Sequence, residues 1–145
     1  MKTLLLIVAI VIYSFSANCQ VNTNGLIQHL NKLNRDDRVW ATSEKTAVFL
    51  NKADKTLEIG EVKIDLTYYT ATADSAYNSI HKKMYPTVRI SCSDNNGCIT
   101  RKNIEKPSFV GDKITMRGVT YFFKTKAACF DYINTIYDVR SSLLL

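Results

Sequence analysis

The sequence predicts an α+β fold: an antiparallel β roll or barrel-like sheet capped by a C-terminal helix, with an extra short N-terminal helix. Three observations predict it. Residues 62 to 69 and 87 to 92 alternate apolar and polar side chains with the period of two that a half-buried strand requires. Clusters rich in Asn, Asp, Gly and Lys, at 51 to 55, 94 to 97, 111 to 112 and 117 to 118, divide the middle of the chain into short runs joined by turns. Apolar residues at helical spacing occur near both ends, at Leu26, Ile27, Leu30 and Leu33 and again from Ala128 to Val139.

The first nineteen residues read as an export signal. Lys2 precedes an apolar run from Leu4 to Tyr13, about ten residues long and short of the ~20 that a membrane-spanning helix needs. Ala17 and Cys19 place small side chains three and one before Gln20, the pattern for cleavage that leaves Gln20 as the first mature residue. The alternative exit is a lipoprotein anchored through Cys19, although Ser16-Ala17-Asn18-Cys19 is a poor match to the aliphatic and small residues that such processing prefers. The expected location is exported, periplasmic or extracellular, and residues 20–145 form a single globular domain whose roll core spans about 39–142.

Thr23 or Asn24 is placed to cap the first helix, with Gln28, Asn31 and Lys32 facing water. The segment from Val39 to Leu50 and the run Leu57-Glu58-Ile59, separated by Asn51 to Lys55, read as a hairpin. Val62, Ile64, Leu66 and Tyr68 then share one strand face, opposite Lys63, Asp65, Thr67 and Tyr69. Residues 70 to 85 admit two readings: a short helix capped by Asp74 and bearing Tyr77, Ile80 and Met84, or a long loop, with Pro86 ending either. Val88, Ile90 and Cys92 face one way before a turn at Asp94 to Gly97, and Cys98-Ile99-Thr100 returns as a second hairpin. Ser108 to Val110, Lys113 to Met116 and Val119 to Phe123 continue the antiparallel pattern, and Thr125 is placed to cap the last helix.

The run Val88 to Cys92, its turn, Cys98-Ile99, the aromatic strand Tyr121-Phe122-Phe123 and the helix Lys126 to Ile133 together resemble small exported bacterial proteins whose core is a pleckstrin-homology-like roll. That resemblance implies a bent antiparallel sheet plugged by one C-terminal helix. It carries no function across, and the first candidate turn, with Lys52 and Lys55, lacks the lipid-headgroup motif of true pleckstrin-homology domains.

Removing the leader removes Lys2, so the mature chain has 18 Lys and Arg against 13 Asp and Glu, a net charge of +5. The excess is concentrated. Residues 20–79 hold seven basic and eight acidic side chains, whereas residues 80–126 hold ten basic and three acidic. Such a block steers anionic partners by long-range attraction, and Lys82, Lys83, Arg101, Lys102 and Tyr85 are the candidate binding residues. The expected partner is a protein, glycan or envelope component, with an anionic membrane surface as the alternative and nucleic acid not among them. The plain reading of the same charge is a solvated surface that keeps the protein in solution.

In an oxidising compartment a cysteine pair forms a disulfide, and Cys92 with Cys98 is the candidate, Cys129 remaining open as another partner for Cys92. Within a hairpin the two would face opposite ways, so a direct bridge demands a bulge or an odd loop. Cys129 lies on the helix stripe and is expected to be a buried, inert thiol. His29 and His81 have no partner at metal-ligand spacing, and no nucleophile elbow, zinc-protease, phosphate-loop or dinucleotide motif occurs. The expectation is therefore a non-enzymatic binding module without cofactor, metal ligands or catalytic residues. A small hydrolase built on His81 or Cys129 is the less favoured reading.

Overall fold

The computed structural model describes residues 22–40, 46–93, 97–102 and 113–144. The expected export signal, Cys19, the turn residues 94–96 and the expected strand at 108–110 lie outside them.

Helix α1 (Thr23–Asp36) opens the described chain and is capped by Asn22, whose side chain accepts from the backbone N–H of Gly25. Asn22 therefore takes the role expected of Thr23 or Asn24. Thr23 sits inside the helix, its hydroxyl on Ser142. Leu30 and Leu33 are buried as their spacing demands. Asn31 does not face water: its side chain accepts from the Val48 N–H and donates to the Val48 carbonyl, closing the edge of the first strand in place of a neighbouring strand.

Among the described residues, eight strands follow in two antiparallel sheets. Strands β1 (Val48–Asn51), β2 (Thr56–Ile59), β3 (Val62–Asp65), β6 (Ile99–Lys102) and β7 (Lys113–Met116) form one sheet in the order β1-β2-β3-β6-β7. Strands β4 (Tyr69–Asn78), β5 (Lys83–Cys92) and β8 (Gly118–Phe122) form the other in the order β4-β5-β8. Helix α2 (Lys126–Leu144) packs on β4, β5 and α1, and Thr125 caps it as expected, its hydroxyl accepting from the Ala128 N–H. The core gathers Leu30, Leu57, Ile64, Val88, Ile90, Ile99, Phe123, Tyr132 and Ile136 from both helices and both sheets. The class is thus α+β with an antiparallel β component and a C-terminal helix; the described strands form two sheets and no closed barrel.

The chain changes sheets three times at one corner: between β3 and β4, between β5 and β6, and between β7 and β8. Backbone hydrogen bonds join these crossings to each other: Asp65 N–H to the Cys98 carbonyl, Ser93 N–H to Tyr68, and Cys92 N–H to Arg117. Strands that bend from one layer into the next are how such corners are made.

The corner explains three departures from the sequence reading. Cys92 and Cys98 do not flank a hairpin, because β5 and β6 belong to different sheets; their sulfurs lie at disulfide-bonding distance across the change of sheet, and the facing problem disappears. The strand begun at Val62 stops at Asp65, so the parity after it inverts: Tyr69 is 1% exposed and Tyr68 is 48% exposed, the reverse of the alternation. Val39 belongs not to β1 but to the far edge of β8, where Arg38 bridges Phe123 and the Val39 N–H donates to Phe122.

Residues 70 to 85 are neither helix nor loop. They are most of a ten-pair hairpin in which Tyr69 faces Cys92 and Asn78 faces Lys83. Pro86 does not end an element; it lies within β5 opposite Ser75, and its carbonyl accepts from the Phe123 N–H. The N–H that proline lacks falls where β8 is ending, which is why the strand tolerates it.

Candidate functional site

The β4–β5 hairpin is longer than the layer it packs on. Its base is core, with Ala71, Val88 and Ile90 buried against the C-terminal helix. Beyond Val88 the same face runs on through the pairs Ser75 with Pro86 and Tyr77 with Met84. There Tyr77 is 60% and Met84 55% exposed, although strand parity points them to the side that is core lower down. The C-terminal helix begins too late to cover them. Lys126, Cys129 and Phe130 in its first turns instead face Ala73, Asp74, Ser75 and Pro86 across a hollow of about 230 Å³.

The tip is closed by its own polar groups. The Asn78 side chain accepts from the N–H groups of Ile80 and His81, and Lys82 adopts a left-handed φ of 52°. Ile80 at the apex is 62% exposed. Lys83 lies 5.4 Å from the Tyr85 ring, which also meets the His81 ring edge-on. His81 Nε2 is 3.1 Å from the Trp40 carbonyl, so the tip is tied to the segment that borders β8.

Between that segment, the tip and β8 lies a second hollow of about 230 Å³, lined by Arg38, Val39, Tyr77 to Ile80 and Thr120 to Phe122. Arg38 is its charged member. Its guanidinium stacks on Trp40 at 3.8 Å and on Tyr121 at 4.4 Å, and Nη1 donates to Asn34. No carboxylate pairs with it among the described residues, and its Nε and the hydroxyls of Tyr121 and Tyr132 are enclosed without a hydrogen-bond partner. Desolvation lowers the Arg38 pKa from its ordinary value, and burial pushes Tyr121 up to about 12 and Tyr132 further up.

The structure divides the residues singled out from sequence. Lys82, Lys83 and Tyr85 meet at the hairpin tip, together with His81, Ile80 and Met84. Arg101 and Lys102 stand on β6 of the other sheet, in register with Val62 and Lys113 respectively. Arg38 was hidden because Arg35-Asp36-Asp37-Arg38 reads as a solvated charge run; Arg35 does pair with Asp36, but Arg38 turns inward. The available signal was Trp40, two residues on and so on the same side of an extended chain.

Cys129 is buried, which pushes its thiol up to about 11. His29 Nε2 meets Asp131 at 2.8 Å on the outside of the two helices, and His81 is occupied at the tip. No group of His, Cys, Asp and Glu among the described residues is arranged to hold a metal ion, and no helix among them is long and apolar enough to cross a membrane. Compared with models of known families, with curated proteins and with solved structures, the chain matches none.

Proposed function

We propose that the chain is an exported, non-catalytic binding module and that the β4–β5 hairpin is the arm with which it docks on an anionic membrane surface. The observation that carries this reading is the tip itself: Tyr77, Ile80 and Met84 exposed beside Lys82 and Lys83, where the fold needs none of the apolar groups. Seating Ile80 and Met84 in the headgroup layer is worth up to about 1.5 to 3 kcal/mol each, and each lysine adds about 1 kcal/mol near an anionic surface. Those sums describe reversible, peripheral docking rather than insertion.

Export is supported by the leader at 1–19 and by a cysteine pair suited to an oxidising compartment. Lipid anchoring through Cys19 would put the arm at a membrane permanently, and mass spectrometry of the processed N-terminus distinguishes it from a chain starting at Gln20. The three crossings at one corner and the packed C-terminal helix favour a pleckstrin-homology-like roll, with α1 as an addition to it.

Co-sedimentation with phosphatidylcholine vesicles containing phosphatidylglycerol tests the docking. Binding is expected at low salt, falling steeply as salt rises. Ile80→Asp and the pair Lys82→Glu with Lys83→Glu should each weaken it at least about tenfold, a change of about 1.4 kcal/mol. No binding at low salt discards the membrane reading and leaves a protein or glycan as the partner of the arm.

A further inference from the structure

The hollow behind the hairpin tip is a separate feature, and its chemistry is that of a receptor rather than a docking face. We propose that it binds a small carboxylate with a compact apolar body, and that Arg38 is the residue that takes the charge. The proposal does not rest on membrane docking, although Tyr77 and Ile80 border both surfaces.

Arg38 is where a guanidinium is costly to keep. It is largely withdrawn from water, and stacking on Trp40 and Tyr121 occupies its faces but leaves its in-plane N–H edge to be satisfied. Asn34 answers Nη1, and Nε is enclosed beyond the reach of a ligand, so Nη2 is the donor left for an acceptor. A guanidinium held this way ordinarily has a carboxylate across from it, and among the described residues the chain supplies none. What faces Arg38 instead is the hollow, so the missing acceptor fits there as a ligand. Its class follows from the lining. Arg38 is the only cation among the described lining residues, which suits a singly charged planar oxyanion better than a phosphate dianion. Val39, Tyr77, Ile80 and Phe122 provide apolar walls. At about 230 Å³ the space falls below the ~300 Å³ at which drug-sized sites begin, enough for a body of one ring.

Trp40 is the chain's single tryptophan and stacks on Arg38, so it reports on occupancy directly. The test titrates the full mature chain with cyclohexanecarboxylate, with its neutral carboxamide and with inorganic phosphate, reading Trp40 emission. A saturable change with the carboxylate is expected, with the carboxamide and phosphate at least about tenfold weaker. Arg38→Gln should abolish the response. Should that variant fail to fold by circular dichroism, Ile80→Glu decides: the residue is exposed, so the fold is kept, while the added carboxylate beside the hollow should weaken binding at least about tenfold. A carboxamide or phosphate that binds as tightly as the carboxylate, no response in the unmodified chain, or full affinity in folded Arg38→Gln or in Ile80→Glu would each overturn the proposal.

Discussion

Two hairpins in this molecule close in the same way and end in different surroundings. In the β1–β2 hairpin Asn51 pairs with Thr56, its side chain accepts from the Asp54 N–H, and Lys55 takes a left-handed φ of 55°. In the β4–β5 hairpin Asn78 pairs with Lys83, its side chain accepts from two N–H groups, and Lys82 takes a φ of 52°. The first is four pairs long, closed on one edge by Asn31 and on the other by β3, with Leu57 wholly buried. The second is ten pairs long; its base is buried, while most of its outer half is exposed and its tip is tied to Trp40 through His81. Turn chemistry closes a hairpin wherever it occurs, and the covering layer decides which of its residues are structural. Over most of the outer half of β4–β5 there is none, which is the physical ground on which we propose a partner for it.

The comparison breaks most visibly in alkali. The base of the long hairpin packs among the phenols Tyr69, Tyr121 and Tyr132, whereas β1 and β2 pack through aliphatic side chains. Burial raises the pKa of all three tyrosines, with Tyr121 pushed up to about 12. Folding therefore favours the neutral phenols: their contribution is complete below the ordinary tyrosine value of about 10 and is lost as pH climbs through 12. Circular dichroism and phenolate absorbance followed together should show one cooperative alkaline unfolding. Ionisation of all the tyrosines with the fold intact would contradict the packing described for the hairpin base.

Leu57→Ala should cost about 2 to 5 kcal/mol in denaturant titration, while Ile80→Ala at the other tip should stay within about 0.5 kcal/mol. Equal costs would erase the distinction between a covered hairpin and a free arm. Replacing Cys92 and Cys98 together by Ser should cost about 2 kcal/mol, the low end for a disulfide because the loop is short. The smallest effects should come from Lys55→Gly and Lys82→Gly. Both remove the penalty of a left-handed residue at the expense of a more flexible unfolded chain, so each should shift stability by under about 1 kcal/mol and in the same direction. A difference in sign between them would show that the two turns are not equivalent.

The sequence made some of these features legible and hid others for definite reasons. Both helices carry apolar residues at helical spacing, and the strands at 62 to 65 and 88 to 92 alternate because one side of each is core. The first hairpin showed itself through its turn. The second did not, because Tyr69 to Asn78 is rich in Ala, Thr, Asp and Ser, and its outer half buries only Asn78, too little to impose a pattern. Sheet membership was equally hidden: nothing in Cys92 to Cys98 distinguishes a turn within one sheet from a passage between two. Of the proposed binding residues, the tip lysines were visible as charge, but their apolar companions became meaningful only once the hairpin had placed Tyr77 opposite Met84.

The gathering of three strand crossings at one corner, with the Cys92–Cys98 link across one of them, gives the molecule a mechanical axis. A load applied at the far end of β4 and β5 travels down the strands to that junction before it reaches the other sheet. The covalent tie thus lies where leverage is greatest, and its rupture by a reductant would loosen the aim of the projecting limb before it melted the interior.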